Sequence, residues 1–221
     1  REERKSRGSD YFSSYQTWPA IIQKLDQISA INPIITDRFS IGLSYEGREI
    51  EAIRITSDTT EQKPAIILNG CQHAREWVST MVPVYIAEQL VANYQIDPIV
   101  TNAINTFEII IVPVVNPDGY IYSYEVDRYW RKNRRDNSGS SCDGVDTNRN
   151  WTVDWAGPQS TSSNPCSDIF TGEAPLSEPE NIAMDNLFSS YQTVAAHIDF
   201  HSYSQLILQP WAHKYDLPPD H

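Results

Sequence analysis

The chain has 221 residues, of which 40% are hydrophobic and 21% charged, with a formal net charge of −12. That length and composition suit one globular domain with a large core and exclude a disordered or low-complexity chain. An acidic balance without any basic stripe argues against a nucleic-acid partner, and no apolar run is long enough to span a bilayer, so no membrane partner is expected either.

Residues 1–7 are charged and lack apolar anchors. Residues 1–10 therefore read as a disordered tail, or as a junction left where a pro-segment is cut at basic residues, and residues 11–221 as the folded domain. Residues 15–31 predict the first helix, with Thr17 as cap, Pro19 in the first turn and Ile21, Ile22, Leu25 and Ile28 on one face. Residues 34–41 and 49–56 predict two strands about a turn at Tyr45-Glu46-Gly47-Arg48. The apolar run at 65–68 predicts a buried strand, and residues 77–93 a long helix with Pro83 inside it. A short helix around 98–104 leads to a nearly continuous apolar run at 107–114, the pattern of a central strand covered on both faces. Asn116-Pro-Asp-Gly119 reads as a turn, and most of 120–171 as irregular. Residues 175–191 predict a helix opened by a capping box of Ser177 and Glu180. Residues 194–200 predict a strand ending at His201, with a further short strand at 204–209. Strands alternating with helices, with no repeat or linker, indicate an α/β fold.

The chemistry concentrates where strands end. His73 and Glu76 are three positions apart, so a helical first turn would place imidazole and carboxylate on one face, ready to share a Zn²⁺. A third ligand is needed; His201 also sits at the end of an apolar strand, although a lone histidine there is more often structural. His197, inside that strand, suits a structural role, and His213 and His221 have no supporting context. Of three cysteines, Cys142 and Cys166 flank a polar loop that a disulfide would stabilise by about 3 kcal/mol, while Cys71 reads as a small buried hydrophobe. Three free thiols remain the alternative at this point.

Five segments then occur in a telling order: Asn-Gly-Cys-Gln-His73-Ala-Arg75-Glu76-Trp, Val-Asn116-Pro-Asp-Gly-Tyr120, Trp130-Arg131-Lys-Asn-Arg134, Gly144-Val-Asp146-Thr-Asn148-Arg149-Asn150-Trp151 and His201-Ser-Tyr203-Ser-Gln205. Together with Gly42-Leu-Ser-Tyr45-Glu46-Gly47-Arg48, they closely resemble the zinc metallocarboxypeptidases of the pancreatic carboxypeptidase A/B family, from about residue 11 to the end. The resemblance implies a central twisted, mixed β-sheet with helices on both faces. It also implies one Zn²⁺ held by His73, Glu76 and His201, with Asp146 orienting His73. Arg131 resembles the arginine that polarises the scissile carbonyl, Asn148 and Arg149 the pair gripping a terminal carboxylate, and Arg75 and Tyr203 residues along the path of the preceding substrate residues. Cys142 and Cys166 match the family's loop disulfide.

The implied activity is release of single amino acids from the C-termini of peptides and proteins by a secreted monomer. Its expected partners are its own pro-segment and proteinaceous inhibitors. Asn150-Trp-Thr152 is formally a glycosylation acceptor, but beside carboxylate-binding residues it is expected to be buried and unmodified. One departure stands out: the family's general-base glutamate, its mobile tyrosine and its pocket-base residue have no counterpart before residue 221. Glu173, Glu178 and Glu180 lie in the wrong motif to substitute. The base is therefore expected beyond residue 221, the catalytic domain to be incomplete at its C-terminus, and the sheet to keep an uncovered edge. A catalytically inactive zinc- or peptide-binding relative is the alternative, and hydrolysis of N-acyl amino acids a third reading.

Overall fold

The computed structural model describes residues 11–60, 62–158, 160–211, 214 and 216–219. The expected junction at 1–10 lies outside these residues, as do His213 and His221. Among the described residues five strands form one mixed sheet: β1 (Thr36–Leu43), β2 (Glu49–Ile55), β3 (Ala65–Gly70), β4 (Glu108–Val112) and β5 (Val194–Phe200), in the order β1-β2-β4-β3-β5. β1, β2 and β4 pair antiparallel, whereas β3 runs parallel to both β4 and β5.

Side chains alternate across a strand, so the central strands β2, β3 and β4 feed two cores. Ile109 and Ile111 of β4 join Ile53, Ile55 and Leu68 on one face. There they meet Ile21, Leu25 and Ile28 of α1 (Trp18–Ile31), Val84, Ala87 and Val91 of α2 (Val78–Asn93), Ile104 of α3 (Pro98–Thr106) and Tyr120 of α4 (Pro117–Glu125). Ile110 and Val112 join Ile50, Ala52, Ala65 and Ile67 on the other face, under Ala183, Met184 and Leu187 of α5 (Pro179–Ser189). Helices thus cover both faces, as the sequence implies. Cys71 is buried in the first core, a small hydrophobe as expected. β5 forms an edge, with Val194 and Ile198 exposed.

Several local expectations are corrected. Thr17 occupies the N-cap of α1 but its side chain makes no capping bond. Asn116-Pro-Asp-Gly is not a free turn: Asn116 caps α4, accepting from the Gly119 N–H at 2.8 Å with Pro117 at the first helical position. The Ser177–Glu180 capping box does not form. Helix α5 starts at Pro179 with Glu178 at its N-cap, and Glu180 turns away to the Tyr45 N–H and the Asn133 amide. Residues 204–209 are irregular rather than a strand.

Cys142 and Cys166 form a disulfide across 24 positions, with Cα atoms 5.0 Å apart. Reduction, or Cys142→Ser with Cys166→Ser, is expected to cost about 3 kcal/mol by the chain-entropy model, read from urea unfolding with and without reductant. A change below about 0.5 kcal/mol would show that the loop needs no tether.

Candidate metal centre

The centre is built at the carboxyl ends of the adjacent parallel strands β3 and β5. Gly70 closes β3 where a Cβ would stand 2.1 Å from the Ser79 carbonyl oxygen, so the start of α2 packs directly on the strand end. Cys71 then adopts a φ of +57°, turning the chain sharply. Its N–H donates to Ser79 Oγ at 3.1 Å, and that hydroxyl donates to the Glu76 carbonyl at 2.6 Å. His73 and Glu76 therefore sit in turns before α2 rather than in its first helical turn. A Glu76 N–H to His73 carbonyl bond of 3.1 Å still brings the two side chains to one side.

His73 Nδ1 lies 2.8 Å from Glu76 Oε1, and His201 Nδ1 lies 3.0 Å from Glu76 Oε2 and 3.1 Å from His73 Nδ1. The Ser202 N–H donates to Glu76 Oε2 at 2.9 Å. Behind the rings, His73 Nε2 faces Asp146 Oδ1 at 3.2 Å and His201 Nε2 faces Asp199 Oδ2 at 2.7 Å. Each Nε2 faces a carboxylate, which only accepts; with the ring proton on Nε2, each neutral ring turns its Nδ1 lone pair toward Glu76, the form in which it can ligate a metal. In that form two lone pairs and a carboxylate converge, an arrangement completed by a cation, either a proton or a metal ion. Two imidazoles and a carboxylate suit Zn²⁺, and these three residues form the one group of potential metal ligands among the described residues.

Protons compete with a metal ion for these atoms. Burial raises the Glu76 carboxyl, yet the His201 and His73 rings and the Ser202 N–H hold it well below the usual carboxylate range. Burial opposes charge on His201, but the Asp199 and Glu76 carboxylates outweigh it and push the ring up to about 10.

Asp146, fully buried, is the hub beside the ligands. It takes His73 Nε2 on Oδ1, and its Oδ2 accepts from Arg131 Nη2 at 2.8 Å and Nε at 3.1 Å. It also accepts from the Asn148 N–H at 3.0 Å, capping the 3₁₀ turn Thr147–Arg149. The remaining Arg131 nitrogen, Nη1, points toward the centre, 3.9 Å from Glu76 Oε1. Arg149 gives its Nε to the Ser160 carbonyl at 2.7 Å and its Nη1 to the Asn148 carbonyl at 2.8 Å; among the described residues no carboxylate pairs with it. Arg75 donates to the Tyr129 carbonyl and to Asp168. Tyr203 is 96% exposed. Asn150 is buried with its amide nitrogen bonded to Thr171, Ala174 and Ser177, which leaves no room for a glycan.

Two groups escaped the sequence reading. Asp199 is one; its signal was available, because a residue two before His201 shares that strand face. The other is Asn133, which ties the Arg131 segment to the Asp146 segment. Its N–H donates to the Val145 carbonyl at 3.0 Å, and its Oδ1 accepts from the Val145 N–H at 2.8 Å. Gly144, at φ +84°, allows that contact: a Cβ there would lie 2.5 Å from the Asn133 carbonyl oxygen.

The Asn133 amide also donates to Glu178 at 2.7 Å and Glu180 at 3.0 Å, both fully buried. Burial, against the bonds from Tyr45 and Asn133, pushes the Glu180 carboxyl from 4.5 up to about 7. The native state thus holds this proton longer than the unfolded chain, so the group opposes folding increasingly as pH rises from about 4.5 to 7. Glu180→Leu is expected to gain roughly 3 kcal/mol of stability relative to the parent between pH 4 and pH 8, measured by denaturant unfolding at both values. A pH-independent difference would contradict the assignment.

Comparison with known proteins accords with this geometry. Residues 21–221 match the zinc carboxypeptidase family, Peptidase_M14, and the chain belongs to that family. It is 40% identical to carboxypeptidase A2 of Mus musculus over 219 residues, covering 99% of this chain and 52% of that protein. It is also 34% identical to the inactive metallocarboxypeptidase ecm14 of Talaromyces marneffei, over 96% of this chain and 37% of that protein. The crystal structure of thrombin activatable fibrinolysis inhibitor superposes with a TM-score of 0.90 at 32% identity, covering 97% of this chain and 54% of that one. The chain spans about half the length of the carboxypeptidase A relatives it matches.

Proposed function

We propose that this chain carries the zinc- and carboxylate-binding machinery of a metallocarboxypeptidase that releases single amino acids from the C-termini of peptides and proteins. The observation that supports it is the Arg131 guanidinium set beside the convergent His73, Glu76 and His201 atoms. Zn²⁺ held by those three residues would supply Lewis acidity toward a carbonyl and would acidify water. Arg131, anchored through Nε and Nη2 on Asp146, keeps Nη1 for the oxygen on which charge develops. Asn148 and Arg149, on the turn that Asp146 caps, hold the terminal carboxylate and so confine hydrolysis to the last peptide bond. Arg75 and Tyr203 are assigned to the path of the preceding residues. The disulfide suits an oxidising, extracellular setting, and no described helix is long and apolar enough to cross a membrane. A monomer, with a pro-segment and proteinaceous inhibitors as further partners, completes the reading.

A second reading, a zinc-dependent peptide binder without turnover, is favoured by one observation. Asp146 and Asp199 are committed to His73 and His201, Glu178 and Glu180 are buried, and Glu173 pairs with Arg135. None of these carboxylates is placed to move a proton for the reaction.

Incubating the zinc-loaded chain with a peptide, its C-terminally amidated form and an N-acyl amino acid separates the readings. Release of one residue from the free-carboxylate peptide alone supports the peptidase. Zinc-dependent binding without release supports the binder, and preferential cleavage of the N-acyl amino acid contradicts both. In either of the first two cases, Arg149→Met is expected to weaken binding of the free-carboxylate peptide by about 10- to 100-fold and leave the amidated peptide unaffected. Equal effects on both peptides would remove Arg149 from carboxylate recognition.

A further inference from the structure

Behind His201 lies a continuous polar set centred on Asp199, a residue that the recognised motifs do not include. Asp199 Oδ2 accepts from His201 Nε2 at 2.7 Å, and its Oδ1 accepts from Asn69 Nδ2 at 2.7 Å. Gln72 Nε2 donates to the same Oδ2. Asn69 and Asp199 are register partners in the parallel β3–β5 pair, so the sheet itself sets this spacing.

Both amides are oriented from the far side. Trp151 Nε1, which can only donate, gives to Gln72 Oε1 at 3.3 Å, leaving the Gln72 NH₂ to face Asp199. His197 Nε2 faces Asn69 Oδ1 at 2.6 Å, leaving the Asn69 NH₂ to do the same. Asp199 therefore meets three N–H donors. A carboxylate accepts from all three, whereas an asparagine would set its own NH₂ against one of them.

We propose that Asp199 is a positioning residue for the third metal ligand, fixing the Nε2–H form of His201 and aiming its Nδ1 lone pair at the centre. Gln72 then links this ring, through Trp151, to the segment that carries Asn148 and Arg149. Both imidazoles of the centre are carboxylate-backed, His73 by Asp146 and His201 by Asp199. This rests on reading His73, Glu76 and His201 as metal ligands.

The test compares the 221-residue chain with Asp199→Ala and the near-isosteric Asp199→Asn. Zinc affinity is read by competition with a chromophoric chelator at one fixed pH. The visible spectrum of the Co²⁺-loaded chain and the thermal midpoint of the apo chain are read alongside. Both variants are expected to bind zinc about 10- to 100-fold more weakly, with a changed Co²⁺ spectrum and an apo midpoint within a few degrees of the parent. Failure of the parent chain to bind stoichiometric zinc would remove the metal-centre reading itself. Parent-like zinc affinity and Co²⁺ spectrum in the variants, with zinc bound by the parent, would overturn the role of Asp199 alone. A collapsed apo midpoint with an unchanged Co²⁺ spectrum would assign Asp199 to folding and overturn the proposal equally. Should the alanine variant not fold, the asparagine variant decides.

Discussion

His73→Ala is expected to abolish stoichiometric zinc binding, weakening affinity by roughly 10³-fold or more. A protein zinc site draws on the order of 10 kcal/mol or more from its ligands, so each contributes several. Here the loss is compounded. With the ring gone, Glu76 Oε1 loses its 2.8 Å neighbour and Asp146 Oδ1 loses the group it orients. The remaining His201 and Glu76 leave a two-ligand site, too few for a tetrahedral zinc centre with one open position. Equilibrium dialysis with zinc quantified by mass spectrometry checks this. Retention of one zinc per chain at micromolar zinc would show that His73 is not a ligand.

The second large effect is expected at Asp146, where alanine should cost about 3–5 kcal/mol of stability and weaken zinc by a further 10- to 100-fold. Asp146 is fully buried, and it neutralises Arg131 through two bonds while backing His73 and capping the 147–149 turn. Truncation leaves a largely buried guanidinium without its carboxylate, the costly way to break such a pair. Burial raises the Asp146 carboxyl, but the His73 bond and the Arg131 and Arg149 charges outweigh it and lower it from 3.8 to about 2. Its stabilising contribution is therefore complete above about pH 4 and is lost as pH falls toward about 2. Urea unfolding of parent and Asp146→Ala should differ strongly at pH 7 and converge toward pH 2. A difference under about 1 kcal/mol at pH 7 would contradict the hub role.

How much of this was legible beforehand depends on the range of the interaction. The runs Ala65-Ile-Ile-Leu68 and Ile109-Ile-Ile-Val112 predict buried strands because their burial on both faces is written locally in composition. The grouping of His73, Glu76 and His201 was implied by the family motifs, the His-x-x-Glu spacing being a weak signal alone, and their convergence follows once β3 and β5 pair in parallel. Helix α4 was missed because Asn-Pro-Asp-Gly serves equally as a turn or as a cap with proline at the first position; tertiary packing of Tyr120 decides it. Glu180 misled for the opposite reason. Its local pattern fits a capping box, but its partners Tyr45 and Asn133 are 135 and 47 positions away, and a distant buried donor outcompeted the nearby N–H.

X-ray absorption at the zinc edge of the zinc-loaded 221-residue chain tests the central claim most directly. The convergence of His73, Glu76 and His201 predicts one zinc per chain, with two imidazole nitrogens and carboxylate oxygen at about 2.0–2.2 Å and no sulfur. A sulfur scatterer near 2.3 Å, which would implicate the buried Cys71, or the absence of stoichiometric zinc, would contradict it.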